Sequence, residues 1–440
     1  MKSKLSWRDL LFIGSMLFGL FFGAGNLIFP VFLGQQAGNK VILAVIGFLI
    51  AGIGLPLLGV AGMGMTRSDN VFELAQKVNR PYAYGFTILL YLTIGPFFAT
   101  PRLATSSFQM GIVPFISDGN EKLVLIIFSV IFFLVAWFFA RKPSKLMTYV
   151  GKWLTPMFLV LLGILIIVAL VKPMGSFSFA ANKAYVKNPI FSGFTEGYNT
   201  MDALASLAFG TIVVEAIKNL GITEPTQIAK DTIKSGIISV VLMGAIYSLL
   251  AFIGTMSLGQ FARAENGGIT LAQIFNYYFG SFGSVLLALI VIIACLKTAI
   301  GLISAFGESM HDMFPRISYK ILIIFASIVP CVFANVGLTN IIKYSTPVLM
   351  FIYPLAIVLI LLAVLSPIFG DSRWIYGMTT LFTLIPAALS GAVSMPKNLQ
   401  VAGFIKMNDY LPLSNMGLSW VVPAAIGLAL GYCIANFKKN

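Results

Sequence analysis

The chain has 440 residues, 58% hydrophobic and only 10% charged, with a net charge of +14 and a mean hydropathy of +0.94. Soluble domains carry about a quarter of their residues as charges, so this composition excludes a chain whose main solvent is water. The basic excess does not point to nucleic acid either, because the charges are distributed as a membrane topology requires.

Apolar runs of about twenty residues can cross a bilayer, and twelve are predicted. They fall near 9–33, 40–65, 82–110, 122–140, 148–171 and 195–219, then 235–259, 283–308, 319–335, 340–365, 374–395 and 417–436. The connections are short, so residues 1–440 are expected to form a single all-α, polytopic transmembrane domain. With a cytoplasmic N-terminus and alternating spans, and with residues near a span's end assigned to that face, 18 of the 29 basic residues lie inside, 10 lie outside and Lys297 lies mid-span. This is the positive-inside bias, and it predicts cytoplasmic termini at both ends. Span one follows Lys2, Lys4 and Arg8 as a signal peptide would. It is too long for one and lacks a small-x-small cleavage site followed by a soluble chain, so it is read as a retained helix.

Span one contains Phe18-Gly19-Leu20-Phe21-Phe22-Gly23-Ala24-Gly25-Asn26-Leu27-Ile28-Phe29-Pro30. Glycine costs about 1 kcal/mol in a helix interior, and each backbone group freed in hydrocarbon costs more. The cluster therefore marks either a close-packing surface or a break in the helix beside a polar cavity. Asn26 favours the break, because a buried amide needs partners. Span three reads Gly95-Pro96-Phe97-Phe98-Ala99-Thr100-Pro101-Arg102, where two prolines predict a kink. Arg102 is either a gate or a snorkelling anchor. Span six supplies a second candidate break in Asp202-Ala203-Leu204-Ala205-Ser206-Leu207-Ala208-Phe209-Gly210-Thr211. Offset by 187 residues, Asp9 meets Glu196, Phe22 meets Phe209 and Gly23 meets Gly210. Interrupted spans at corresponding positions of two halves point to a transporter site.

A half-helix starting at such a break offers free N–H groups and a positive dipole end to a carboxylate. Carbonyls released from the preceding half can hold a cation. An amino-acid zwitterion could thus be held by backbone alone, with Phe21, Phe22 and Phe209 around its side chain and no buried acidic or basic group. Charges within spans are costly and usually functional. Asp202 suits a functional or capping role, and Glu215 an interfacial role or proton handling. Lys297 sits mid-span in Ile292-Ile293-Ala294-Cys295-Leu296-Lys297-Thr298-Ala299-Ile300-Gly301. Its ammonium must pair, deprotonate or reach water there. Cys295, Cys331 and Cys433 have no partner spacing, and the lone His311 falls in a loop, so no disulfide framework or metal cluster follows. A channel would show charged rings or filter loops, and an intramembrane enzyme a catalytic constellation. Neither is visible.

The span-one and span-three motifs, with Thr200-Met201-Asp202-Ala203-Leu204, Phe209-Gly210 and Thr298-Ala299-Ile300-Gly301-Leu302, resemble those of the bacterial branched-chain amino acid:cation symporters. The resemblance covers essentially the whole chain. It implies a leucine-transporter-type fold in the bacterial plasma membrane, with inverted five-helix repeats near 9–171 and 195–365 and two extra helices near 374–436. It implies leucine, isoleucine and valine as substrates, driven inward by Na⁺, with no cofactor beyond that ion. Ala24, Gly25 and Asn26 at the first break, and Ser206, Ala208, Phe209 and Gly210 in span six, would bind the substrate. Gly19, Phe22, Ala294 and Thr298 would hold Na⁺. Lys297 departs from the family's pattern, because it stands where a hydroxyl is expected and would repel Na⁺ at contact distance. Lys297 and Asp202 are then the candidate coupling groups, with H⁺ the alternative to Na⁺. A transport-dead sensor, or a carrier of other small neutral amino acids, remains the competing reading.

Overall fold

The computed structural model describes residues 4–66, 68, 70–116, 119–141 and 155–437. The expected start of span five at 148 lies outside the described residues, as do Lys2, Arg67, Lys142, Lys145, Lys152, Lys438 and Lys439. Everything described is helix or short connection, without a strand, as hydrocarbon demands of a chain that must satisfy its own backbone. In chain order the helices are α1 (Trp7–Phe21), α2 (Ala24–Ala37), α3 (41–66), α4 (Val71–Gln76), α5 (80–111), α6 (Glu121–Ala140) and α7 (Thr155–Val171). Then come α8 (Lys183–Lys187), α9 (Pro189–Gly197), α10 (Asp202–Asn219), α11 (Pro225–Met256) and α12 (Gly267–Met313). The chain ends with α13 (Tyr319–Ala334), α14 (Leu338–Phe369), α15 (Arg373–Val393), α16 (Ala402–Asp409) and α17 (Val421–Phe437). Seven described segments are long and apolar enough to cross a membrane, and α9 and α10 together form an eighth as a bent pair. One of the seven, Ala24–Thr66, turns at Gly38 (φ +50°) and so crosses twice. With the shorter apolar helices 159–171, α13 and α17, the architecture is consistent with twelve passes.

Local chemistry starts these helices. Ser6 and Asp9 form a reciprocal capping box on α1. Asn79 caps α5 just ahead of Pro81, and Asn266 caps α12 by accepting from the N–H groups of Gly268 and Ile269. Side-chain pattern then sorts the faces. Along α6, Leu123, Ile127, Ile131, Leu134 and Phe138 are all more than half exposed, while Ser129, Phe132, Phe133 and Ala136 are buried. An outward stripe of large apolar residues is what a lipid-facing helix presents. The prolines of span three give the expected kink, since α5 widens into a π-turn over Thr93–Phe97 with Gly95 off helical geometry (φ −95°, ψ −117°).

The first span is broken at Phe22–Gly23, where α1 stops and α2 begins. The second break lies nine residues' worth of sequence away from its expected neighbourhood around Gly210. It falls at Met201, which takes the left-handed conformation (φ 62°), and the helices on either side meet at 48°. From Asp202 to Asn219 α10 is continuous, so the 187-residue register does not superpose the two breaks. The offset match of Gly23 with Gly210 points to the wrong end of the segment. Gly210 serves packing, with a Cβ there falling 2.9 Å from the Met63 side chain of α3.

Helix α11 runs unbroken alongside the broken first span. A Cβ on Gly34 of α2 would fall 1.8 Å from the Ala251 carbonyl oxygen, and one on Gly254 of α11 would fall 2.1 Å from that of Val31. The hydroxyl of Thr255 donates to the Gly34 carbonyl at 2.8 Å. Backbones this close leave no room for a methyl group. Gly34→Ala is therefore expected to destabilise the protein by about 1–3 kcal/mol, the usual cost of overpacking. Gly85→Ala, with nothing within 4 Å of the new carbon, should be close to neutral. Thermal unfolding of the purified protein in detergent checks both, and equal melting temperatures would contradict this account of the seam.

Candidate substrate cavity at the two breaks

The two breaks meet through side chains. The Asn26 carboxamide oxygen accepts from the Gly23 N–H at 2.8 Å, capping the new helix α2. Its amide nitrogen donates to the Asp202 carboxylate at 2.7 Å and also contacts the Tyr247 hydroxyl of α11. Tyr247 donates to the same Asp202 oxygen at 2.9 Å, and the Asp202 N–H reaches the Thr200 hydroxyl at 3.3 Å. Asn26, Asp202 and Tyr247 are each no more than 3% exposed. A buried carboxylate at the start of α10 is favoured by the positive end of that helix and by its donors. The sequence placed Asn26 against the substrate. Its two polar atoms are engaged here in joining one break to the other.

Around this tie lies a cavity of about 420 Å³ bordered by Leu20, Phe21, Gly23, Ala24, Gly25, Asn26, Ile94, Ala99, Arg102, Leu103, Thr200, Met201, Asp202, Ala205, Phe209, Thr298 and Leu302. Of the residues singled out in the sequence, Ala24, Gly25, Asn26, Asp202, Phe209 and Thr298 border it. Ser206, Ala208 and Gly210 do not. On α10 the positions facing the cavity are 202, 205 and 209, one helical stripe. Ser206 instead donates to the Ala203 carbonyl at 2.7 Å and packs where Gly59 of α3 leaves space. Arg102 is 4% exposed, too deep for a snorkelling anchor. The expectation of a site without acidic or basic side chains thus gives way to a cavity containing one of each. Arg102 and Met201 were the residues that sequence reasoning undervalued. An arginine preceded by two prolines inside an apolar run was the available signal for the first, and a left-handed methionine has none.

Helix α12 reaches the first break. A Cβ on Gly23 would lie 3.4 Å from the Thr298 hydroxyl, which donates to the Ala294 carbonyl at 3.2 Å. Gly19 and Phe22 are buried at the end of α1. Lys297 is half-buried, does not border the cavity and forms no ion pair or hydrogen bond among the described residues. Glu215 is exposed near the end of α10, and the three cysteines are free thiols.

Truncating Asn26 to alanine should leave the Gly23 N–H without its acceptor and remove one donor from Asp202. Each buried group so orphaned costs about 1–3 kcal/mol, and the loss is read as a lower unfolding temperature in detergent. An unchanged unfolding temperature would count against Asn26 as the link between the breaks.

A family model described as branched-chain amino acid transport protein matches residues 6–438. The branched-chain amino acid permease BrnQ of Lactobacillus delbrueckii subsp. lactis is 45% identical over 434 residues, 98% of this chain and 97% of its own length. BrnQ of Bacillus subtilis (strain 168) is 41% identical over 440 residues, 100% of both chains. Among solved structures, the nucleobase-cation-symport-1 family transporter Mhp1, closed with bromovinylhydantoin bound, superposes with a TM-score of 0.61 at 14% identity, over 97% of this chain and 92% of its own. MhsT in complex with L-phenylalanine gives 0.52 at 15%, over 99% of this chain and 100% of its own. At these identities the structural likeness is one of fold, and it is the leucine-transporter-type fold. The chain is a multi-pass membrane protein that belongs to the family of branched-chain amino acid transport proteins.

Proposed function

We propose that this protein imports leucine, isoleucine and valine across the bacterial plasma membrane by cation symport, exposing the cavity at the two breaks to each side in turn. The observation that carries the reading is the cavity's make-up. It combines one cationic side chain, one anionic side chain and the open end of α2 with walls of Leu20, Phe21, Ile94, Leu103, Phe209 and Leu302. That set suits a zwitterion with an apolar side chain. The permeases BrnQ support the substrate class, and the inside excess of basic residues supports cytoplasmic termini.

Coupling is read from the α12 face. Thr298 beside Gly23 is the hydroxyl that would join the carbonyls of Gly19, Phe22 and Ala294 around Na⁺. One residue earlier, Lys297 brings a positive charge that opposes a Na⁺ at close range. Lys297 accordingly serves as a tethered cation or as the proton carrier, with Asp202 the second coupling group.

Leucine uptake into proteoliposomes, with Na⁺ and proton gradients imposed independently, tests this. The unmodified protein is expected to take up leucine without needing Na⁺, and Lys297→Thr to acquire Na⁺ dependence. Strong Na⁺ stimulation of the unmodified protein, unchanged by the substitution, would rule out the role given to Lys297. Leucine binding without any counterflow would instead make the chain a sensor.

A further inference from the structure

Arg102 has more bonding capacity than its protein partners use. Its Nη1 donates to the Asn199 carbonyl at 2.7 Å, and its guanidinium lies over the Phe29 ring, 4.9 Å from the centroid. The Nη2 edge points elsewhere, 3.2 Å from where a Cβ of Gly25 would stand. Unspent N–H groups of the guanidinium therefore converge on the opening turn of α2. The first amides of a helix have no intrahelical acceptor, and Ala24 and Gly25 border the same cavity as Arg102.

Both features are positive. A helix N-terminus carries about half an elementary charge, and a guanidinium keeps its proton inside proteins. Buried side by side they repel unless an anion lies between them. Asp202 borders the cavity, but its carboxylate is engaged by Asn26 and Tyr247, and no ion pair joins it to Arg102 among the described residues. The cavity thus carries a positive corner with no protein anion in contact.

We infer that Arg102 is the side chain that reads the carboxylate of the amino acid, holding it against the first turn of α2. This role rests on the reading of the cavity as an amino-acid site. A carboxylate placed between Nη2 and the Gly25 amide at the open end of α2 neutralises both positive features at once. The planar fork of arginine matches a carboxylate in a way that an ammonium does not. Glycine at position 25 keeps that space open, since a methyl group would stand against Nη2. Nη1 is already held by the Asn199 carbonyl, so it is the Nη2 edge that reads the carboxylate. Asn199 and Phe29 border a second cavity of about 630 Å³, shared with Glu196 and Glu265. The carboxylate therefore docks on the wall between the two cavities.

The test is a ratio of affinities, because a ratio does not depend on how much of a variant is folded. Competition against radiolabelled leucine gives the dissociation constants of leucine and of leucinamide, which keeps the ammonium and side chain but lacks the carboxylate. The unmodified protein should prefer leucine. Arg102→Gln is expected to reduce the leucine-over-leucinamide preference by roughly ten- to a hundredfold, the worth of a charge-assisted hydrogen bond. Arg102→Lys should fall between the two. A preference that is unchanged in both variants, including an equal loss of both ligands, overturns the inference. Failure of the unmodified protein to bind leucine at all would overturn the amino-acid reading itself, which is a different result.

Discussion

A helix inside a membrane can be interrupted only where something else takes over its backbone hydrogen bonds, and at the first break one asparagine takes over the Gly23 N–H. Asn26 caps α2 with its oxygen and grips the start of α10 through Asp202 with its nitrogen. The two interruptions, at Phe22–Gly23 and at Met201, are thereby parts of a single polar junction. Tyr247 closes it from α11. Without such a junction, two bends in two helices would each expose unpaired groups to lipid. With it, they enclose a cavity whose polar side is already arranged.

The chemistry of the cavity follows from what the junction leaves over. Asp202 contributes a carboxyl group, the end of α2 and Arg102 are positive, and apolar side chains from α1, α5, α10 and α12 supply the remaining walls. Buried ionisable side chains of both kinds are expensive in this setting. The same reasoning sets Lys297 apart. It lies next to the junction without bordering the cavity, and among the described residues it has no countercharge.

Much of this was legible in the sequence. Hydropathy placed the spans to within a few residues, except where a helix such as α11 or α12 continues well past its apolar stretch. The first break was legible because glycines cluster around an asparagine, and the kink in α5 because prolines leave few alternatives. The second break was not. It depends on Met201 adopting a left-handed backbone, for which its side chain offers no hint, and Gly210 drew attention although it fills a helix–helix contact. Facing was likewise hidden. Ser206 and Phe209 are three residues apart, yet only Phe209 reaches the cavity, and helical periodicity fixes this only once the helix's neighbours are known. The engagement of Asn26 by Asp202, 176 positions away, has no local signature at all.

Helix α11 spans 32 residues, about 48 Å at 1.5 Å per residue, and touches the first span on both sides of its break. Near one end the Asp231 carboxylate accepts from the Leu5 N–H, and Gly14 lies close to the Ser235 carbonyl. Past the middle come Tyr247, Ala251 and Gly254 against α2. The broken helix is therefore splinted by an intact one. If α1 swings relative to α2, it must slip along this rod or tilt it. A tilted rod would carry the displacement to the far face of the membrane, so that the two ends of the broken span would move as one.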